Sequence, residues 1–405
     1  MKNLFFKVST AILLLGTVGC QEKLDTVSGE HSTAVYMTKD NQLINISNAV
    51  ESGETFIEVR LSRLAENSVN ISVSAIDFFS EYNKKNGTEY KALPSSEYEL
   101  YEIGNPSNKS NNGTLSISVK GGDYSSRIGV KVKPLDDSVY PVSTRYAIPL
   151  RISSSSAKIL SNKDAIISFN RPYKTSVAEI VKGHNFAVEL DPEIESTDEF
   201  TVQGQFMFLN WNSMQHSWNQ SMINFKGGPG SNWWYTRVNP DHFQVKDLDA
   251  DGEATHVKLD VKLNVWYQVS YVYKANSLKV YVNGELKKTF SRPGLRISKG
   301  EGATITVANS TLADSRDFRI REVRLWNRAL SEAEIKDKLY LPVNSDSEGL
   351  LVYLPIDKKN GFKDLSKHKN IVKFGRHGKN VDVEKMEVKW TENVKFPAEG
   401  LVIEP

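Results

Sequence analysis

Four of the seven tryptophans fall close together: Trp211, Trp218, Trp233 and Trp234, with Tyr235 adjoining. Flat aromatic rings next to short amides are what a sugar requires. Pyranose C–H faces stack on the rings, and amides bind the hydroxyls. Asn210, Asn212, Gln215, Asn219, Gln220 and Asn232 supply those amides in the same stretch. The run Gly227-Gly-Pro-Gly230 lets the backbone come close to a ligand. The same rings can instead be core, and one aromatic from each strand is expected to face inward. Trp233 and Trp234 are neighbours, so on a strand they point to opposite faces. Trp218 sits among His216, Asn219 and Gln220. We therefore expect Trp218 and Trp234 to be the exposed stacking rings, and Trp266 and Trp326 to be core.

Three other constellations could carry chemistry. Asp247, Asp249 and Asp251 alternate ahead of Gly252, as at the start of a calcium loop. The position that should carry the closing glutamate is Lys258, so the segment reads equally as an acidic turn. Glu189, Asp191 and Glu193 have the spacing of paired glycosidase carboxylates, but Pro192 interrupts the strand that would align them. Residues 358–379 hold eight lysines and arginines against Asp357 and Asp364, a solvated face or a contact for acidic glycans. The seven histidines show no metal-ligand spacing, and there is no nucleophile elbow or phosphate loop. No catalytic residue and no firm cofactor is expected, calcium being the one cofactor considered, and the chain is not expected to be an enzyme.

The elements that would position these residues are strands. Apolar and polar residues alternate at 71–76, 114–119 and 128–132, with Asn-, Gly- and Ser-rich turns between. Trp266-Tyr-Gln-Val-Ser-Tyr-Val-Tyr273 and Ser277-Leu-Lys-Val-Tyr-Val282 are further strands, and Asn283-Gly284 turns the second into a hairpin. In Phe318-Arg-Ile-Arg-Glu-Val-Arg-Leu-Trp326, outward arginines alternate with inward apolar residues. Ser331 and Glu334 then form a capping box for a short helix reaching Tyr340. The fold class is all-β.

The segments 266–273, 277–290 and 318–331, with Gly349-Leu-Leu-Val-Tyr-Leu-Pro-Ile356 and Asp364-Leu-Ser-Lys-His368, resemble the laminin-G-like, concanavalin A-like jelly-roll family. Tyr267 stands where that family often has histidine. Upstream, Tyr82-Asn83, Gly87-Thr-Glu-Tyr90, Leu93-Pro94, Tyr98, Gly121 and the strand 146–152 resemble the N-terminal β-sandwich of Bacteroidetes surface lipoproteins, a domain of unknown function. Its tyrosines are read as packing residues and the domain as a spacer. The resemblance implies an immunoglobulin-like sandwich over 31–172 followed by a jelly-roll over 174–405.

The lone cysteine, Cys20, closes an apolar run over 8–18 that begins behind Lys2 and Lys7. That run is shorter than the roughly 20 residues needed to cross a bilayer. The segment resembles a bacterial lipoprotein signal, which implies a signal peptide at 1–19, an acylated Cys20 and a tether at 20–30. Removing Lys2 and Lys7 leaves 49 basic against 49 acidic residues, a balance that argues against nucleic acid as a partner. The reading is an outer-membrane, surface-facing lipoprotein that captures polysaccharide or another glycan near transporters or hydrolases. The competing reading is a protein-interaction or structural lipoprotein without glycan binding.

Overall fold

The structure, a computed structural model, describes residues 32–46, 52–181, 183–211, 220–247, 252–308, 317–376 and 379–396. It is all-β, with two sandwiches in tandem. In the first, one sheet runs Lys158–Ile159, Ala34–Met37, Gly53–Leu61, Ser125–Val132, Tyr98–Glu102 and Asn105–Ser110. The facing sheet runs Asn41–Asn45, Asp164–Asn170, Arg145–Ser155, Val69–Ser74 and Thr114–Val119, with Tyr90–Ala92 added beside Arg145–Ser155. Alternate residues such as Val59, Ile71, Ile117, Val130 and Ile148 fill the gap between them. Tyr98 is buried there, and Tyr82 and Tyr90 pack with Phe79, so these tyrosines are packing residues. The strand-only reading of this region misses one helix, Phe79–Asn86. It ends at Gly87 in the left-handed conformation (φ 67°), the usual glycine stop.

The second sandwich begins after Pro172. One sheet runs Glu285–Ser291, Ser277–Val282, Trp266–Lys274, Phe200–Phe208, Phe318–Trp326, Tyr173–Ile180 and Val388–Phe396, with Leu350–Leu354 paired to Phe318–Trp326. The other runs His256–Lys258, His242–Lys246, Trp233–Asn239, Gln220–Gly227, Ala303–Val307, His184–Glu189, Ile371–Arg376 and Lys379–Val381. Phe186, Phe200, Phe225, Trp234, Tyr271 and Ile305 close the core between them. Asn283 and Gly284 take the positive φ values, 51° and 81°, that their hairpin turn needs. Ser331 and Glu334 form the capping box, but the helix they start spans only Glu332–Asp337. Asp337, at its end, pairs with Arg145 of the first sandwich at 2.8 Å. Among the described residues no helix is long and apolar enough to cross a membrane.

The arginines of strand Phe318–Trp326 do point away from the sandwich core, but two of them do not reach solvent. The register places Gln203 opposite Arg324 and Gln205 opposite Arg321, so Gly204 alone faces both Glu322 and Val323. That extra residue is a β-bulge, and Glu322 sits in it at φ 56°. The bulge turns Glu322 onto the same face as Arg321 and Arg324. Its carboxylate meets Arg321 at 3.0 Å and Arg324 at 2.5 Å, with all three side chains no more than 3% exposed. Arg321 also donates to Gln205 Oε1, to the Tyr340 carbonyl and to the Tyr173 hydroxyl. Arg324 donates to the carbonyls of Lys338 and Leu341. The segment following the short helix is thereby fastened to the sheet by charge as well as by the apolar packing of Leu339, Tyr340 and Val343.

Candidate functional site

The predicted aromatic region divides between the two faces of one sheet. Strand Trp233–Asn239 pairs with Gln220–Gly227 so that Trp234 lies opposite Phe225, Tyr235 opposite Asn224, and Trp233 opposite Lys226. Phe225 belongs to the core, so Trp234 does too. Its ring packs 4.2 Å from Tyr271 and is fully buried. The expectation that Trp234 is an exposed stacking ring is therefore wrong. Alternation along the strand is as expected, but the inward member of the pair is Trp234, because the apolar Phe225 opposite it is inward.

The outward member is Trp233. Its ring stacks on Tyr235 at 5.4 Å and 18° between planes. Arg237, two positions further along the same face, lies over the other end of the row, 5.1 Å from the Tyr235 ring. Beside Tyr235 the register brings Asn224 and then Thr306 from the next strand, and Gln244 lies opposite Arg237. Asn224 is only 4% exposed, and among the described residues no donor reaches its Oδ1. A buried carbonyl oxygen without a donor is costly unless a water or ligand completes it. The face thus combines a half-buried tryptophan on a tyrosine with recessed amides, a hydroxyl and a guanidinium. That set can stack one face of a ring and hydrogen-bond its edge.

Other predicted residues fall outside this patch. Trp211 is half-buried, stacked on Phe208 at 6.2 Å against the core. Asn232 is exposed, but its amide donates to the Pro293 carbonyl and its backbone N–H to Gly294, so it serves its own loop. Gln220 opens strand Gln220–Gly227. Cys20, Trp218, Asn219, Asp249 and Asp251 lie outside the described residues. Asn224, Arg237, Gln244 and Thr306 were missed by the sequence reading. Period-2 alternation from Trp233 could have given Arg237, but the others depend on pairing register. A bulge between Ser221 and Ile223 shifts that register.

Residues 185–336 match the laminin G type of the Concanavalin A-like lectin/glucanases superfamily, and residues 29–159 match a family described as an N-terminal domain. The second sandwich is a concanavalin A-like domain. A Bacteroides ovatus protein proposed to bind carbohydrate, solved at 1.50 Å, aligns at 20% identity over 86% of this chain and 99% of its own, with a TM-score of 0.47. A heptameric SAP-like pentraxin from Limulus polyphemus aligns at 13% identity over 49% of this chain and 94% of its own, with a TM-score of 0.34. Trypanosoma rangeli sialidase aligns at 16% identity over 35% of this chain and 22% of its own, with a TM-score of 0.28. The comparison with curated proteins gave no match.

Elsewhere in the concanavalin A-like domain, the acidic residues singled out above that are described, Asp249 and Asp251 not being among them, are engaged. Asp247, the one described residue of the three proposed calcium ligands, pairs with Arg292 at 2.9 Å. Glu189 pairs with Lys373 at 2.7 Å, Glu193 with Lys299 at 3.4 Å, and Asp191 accepts from the Glu193 backbone. Asp364 is buried and accepts from Tyr353 N, both donors of Ser366 and both of Asn370. It ties the loop after strand Leu350–Leu354 to that strand.

Proposed function

We propose that the concanavalin A-like domain binds carbohydrate without turning it over, on the outer face of the sheet that carries Trp233. The observation behind this reading is the Trp233–Tyr235 stack beside the buried Asn224 oxygen, which has no donor among the described residues. A sugar ring on Trp233 would have to draw the recessed Asn224 into a hydrogen bond with one of its hydroxyls, while Arg237 and Gln244 serve neighbouring oxygens. Affinity electrophoresis against a panel of plant, host and bacterial polysaccharides, with and without calcium, tests this directly. Asn224→Ala should weaken retardation by about 0.5–1.5 kcal/mol, the worth of one hydrogen bond. Its melting temperature should hold or rise, because a buried oxygen with no donor among the described residues has been removed. If no polysaccharide is retarded, or if Asn224→Ala binds as the parent does, the site is wrong.

The same reading makes the chain a surface lipoprotein of a glycan-utilising bacterium. The first sandwich is its spacer, and its neighbours are an outer-membrane transporter or hydrolase to which the captured glycan passes. Cys20 and the run before it support the anchor. Each buried acyl methylene adds about 0.8 kcal/mol of membrane affinity, so acylation on Cys20 would hold the protein on the membrane. Cys20→Ala should therefore appear in the aqueous phase on detergent partition of whole cells. Retention of that variant in the detergent phase would rule the anchor out.

A further inference from the structure

The second sandwich is open along one flank. Strand Val388–Phe396 ends one sheet, the strands Ile371–Arg376 and Lys379–Val381 end the other, and a groove of about 800 Å³ lies between. Its walls are Phe362, Val372, Phe374, Met386, Val388 and Trp390. Phe362 packs edge-on against Phe186 and Phe374 at 5.2 and 5.3 Å, with Trp390 at 6.2 Å, so the aromatic floor is fixed by the core beneath it. Of the polar side chains at the groove, Asp364 is saturated by its five donors. Asn370 is spent on Asp364, the Leu351 carbonyl and the Asp191 N–H.

The lip is different. Lys363 and Lys369 are exposed there, and among the described residues no carboxylate pairs with either. Among the described residues Lys369 reaches only the Leu365 carbonyl, at 3.3 Å. Lys358 and Lys373 of the same stretch are matched, by Glu392 and Glu189, while Lys359 and Lys367, which do not line the groove, also have no carboxylate partner among the described residues. An apolar floor under two unmatched positive charges has the chemistry of one ligand class, and the volume is that of a small-molecule site. We propose that this groove binds an anionic amphiphile, its alkyl chain on Phe362, Phe374 and Trp390 and its carboxylate or phosphate head at Lys363 and Lys369. A sugar fits badly, because six apolar walls would strip its hydroxyls of water and return no hydrogen bonds. The inference is independent of the glycan reading.

The test is titration of the purified protein with decanoate, decyl phosphate and decanol below micelle-forming concentrations, followed by calorimetry and tryptophan fluorescence. Both anions should bind one to one and at least tenfold more tightly than decanol. The double substitution Lys363→Gln with Lys369→Gln, both on exposed side chains, should bring the anions down to the level of decanol with an unchanged melting temperature. Met386→Gln should weaken all three ligands. A preference for decanoate over decyl phosphate, or the reverse, identifies the head group. Equal binding of decanol, anion binding that survives the double substitution, or no saturable binding at all overturns the proposal. So does binding that emerges only when residues 397–405 are deleted, since the chain itself would then be the occupant.

Discussion

Glu322→Ala should destabilise the concanavalin A-like domain by about 3–5 kcal/mol, the cost of leaving buried charge without its partner. Two guanidiniums, on Arg321 and Arg324, share this one carboxylate in a place where none of the three is more than 3% exposed. Removing the acid strands both. Their remaining bonds to the Tyr340 and Leu341 carbonyls help solvate them but bring no opposite charge. Glu322→Gln keeps the shape and one acceptor, so it should fall between the alanine variant and the parent. Glu322→Gly removes the same charge yet relieves the left-handed backbone at φ 56°, and it should lose up to about 1 kcal/mol less than Glu322→Ala. Urea unfolding of the full chain, with the two sandwiches followed as separate transitions, measures all three. A loss under about 1 kcal/mol for Glu322→Ala would mean that water reaches the network and that it behaves as a surface pair.

This network also marks where the sequence stopped being legible. Hairpins, strand identities and the capping box were readable because each is set by residues within a few positions. Asn283-Gly284 is the plainest case, with both turn residues at positive φ. The bulge is not local in that sense. Apolar residues at 318, 320, 323 and 325 are spaced two, three and two apart, and the step of three is the inserted residue. Read as unbroken alternation, the strand gives exposed arginines. Read with the step, it gives two arginines and an acid on one face, beneath the chain that returns after the helix. That step also carries Trp326 off the sandwich core. It is fully buried, but among Leu330, Ile335 and Tyr353 on the outer side. The candidate site was legible to the same degree. Composition pointed to the stretch that holds the outward-facing Trp233, while the choice of outward ring depended on which neighbour lay across from it.

That choice yields a sharp pair of expectations. Trp234→Ala should cost about 3–5 kcal/mol, since it empties a fully buried ring between the stacks of Phe225 and Tyr271. Trp234→Phe should cost much less. The indole N–H it removes has no acceptor among the described residues, so only volume is lost and a buried unpaired donor goes with it. Trp233→Ala should behave in the opposite way. Its ring is half-buried on the outer face and outside the core, so melting should move less than for Trp234→Ala, whereas glycan affinity should fall by about 1–3 kcal/mol if ring stacking here resembles base stacking on aromatic platforms. Tyr235 is the internal control, because it supports Trp233 from below at 5.4 Å while being itself nearly buried. Tyr235→Leu should weaken binding through the displaced tryptophan and cost some stability as well. Thermal melts and affinity gels on the same four variants separate the two roles. If Trp233→Ala melts early with binding intact, the outer face is structural, and the sugar platform must be sought elsewhere on the domain.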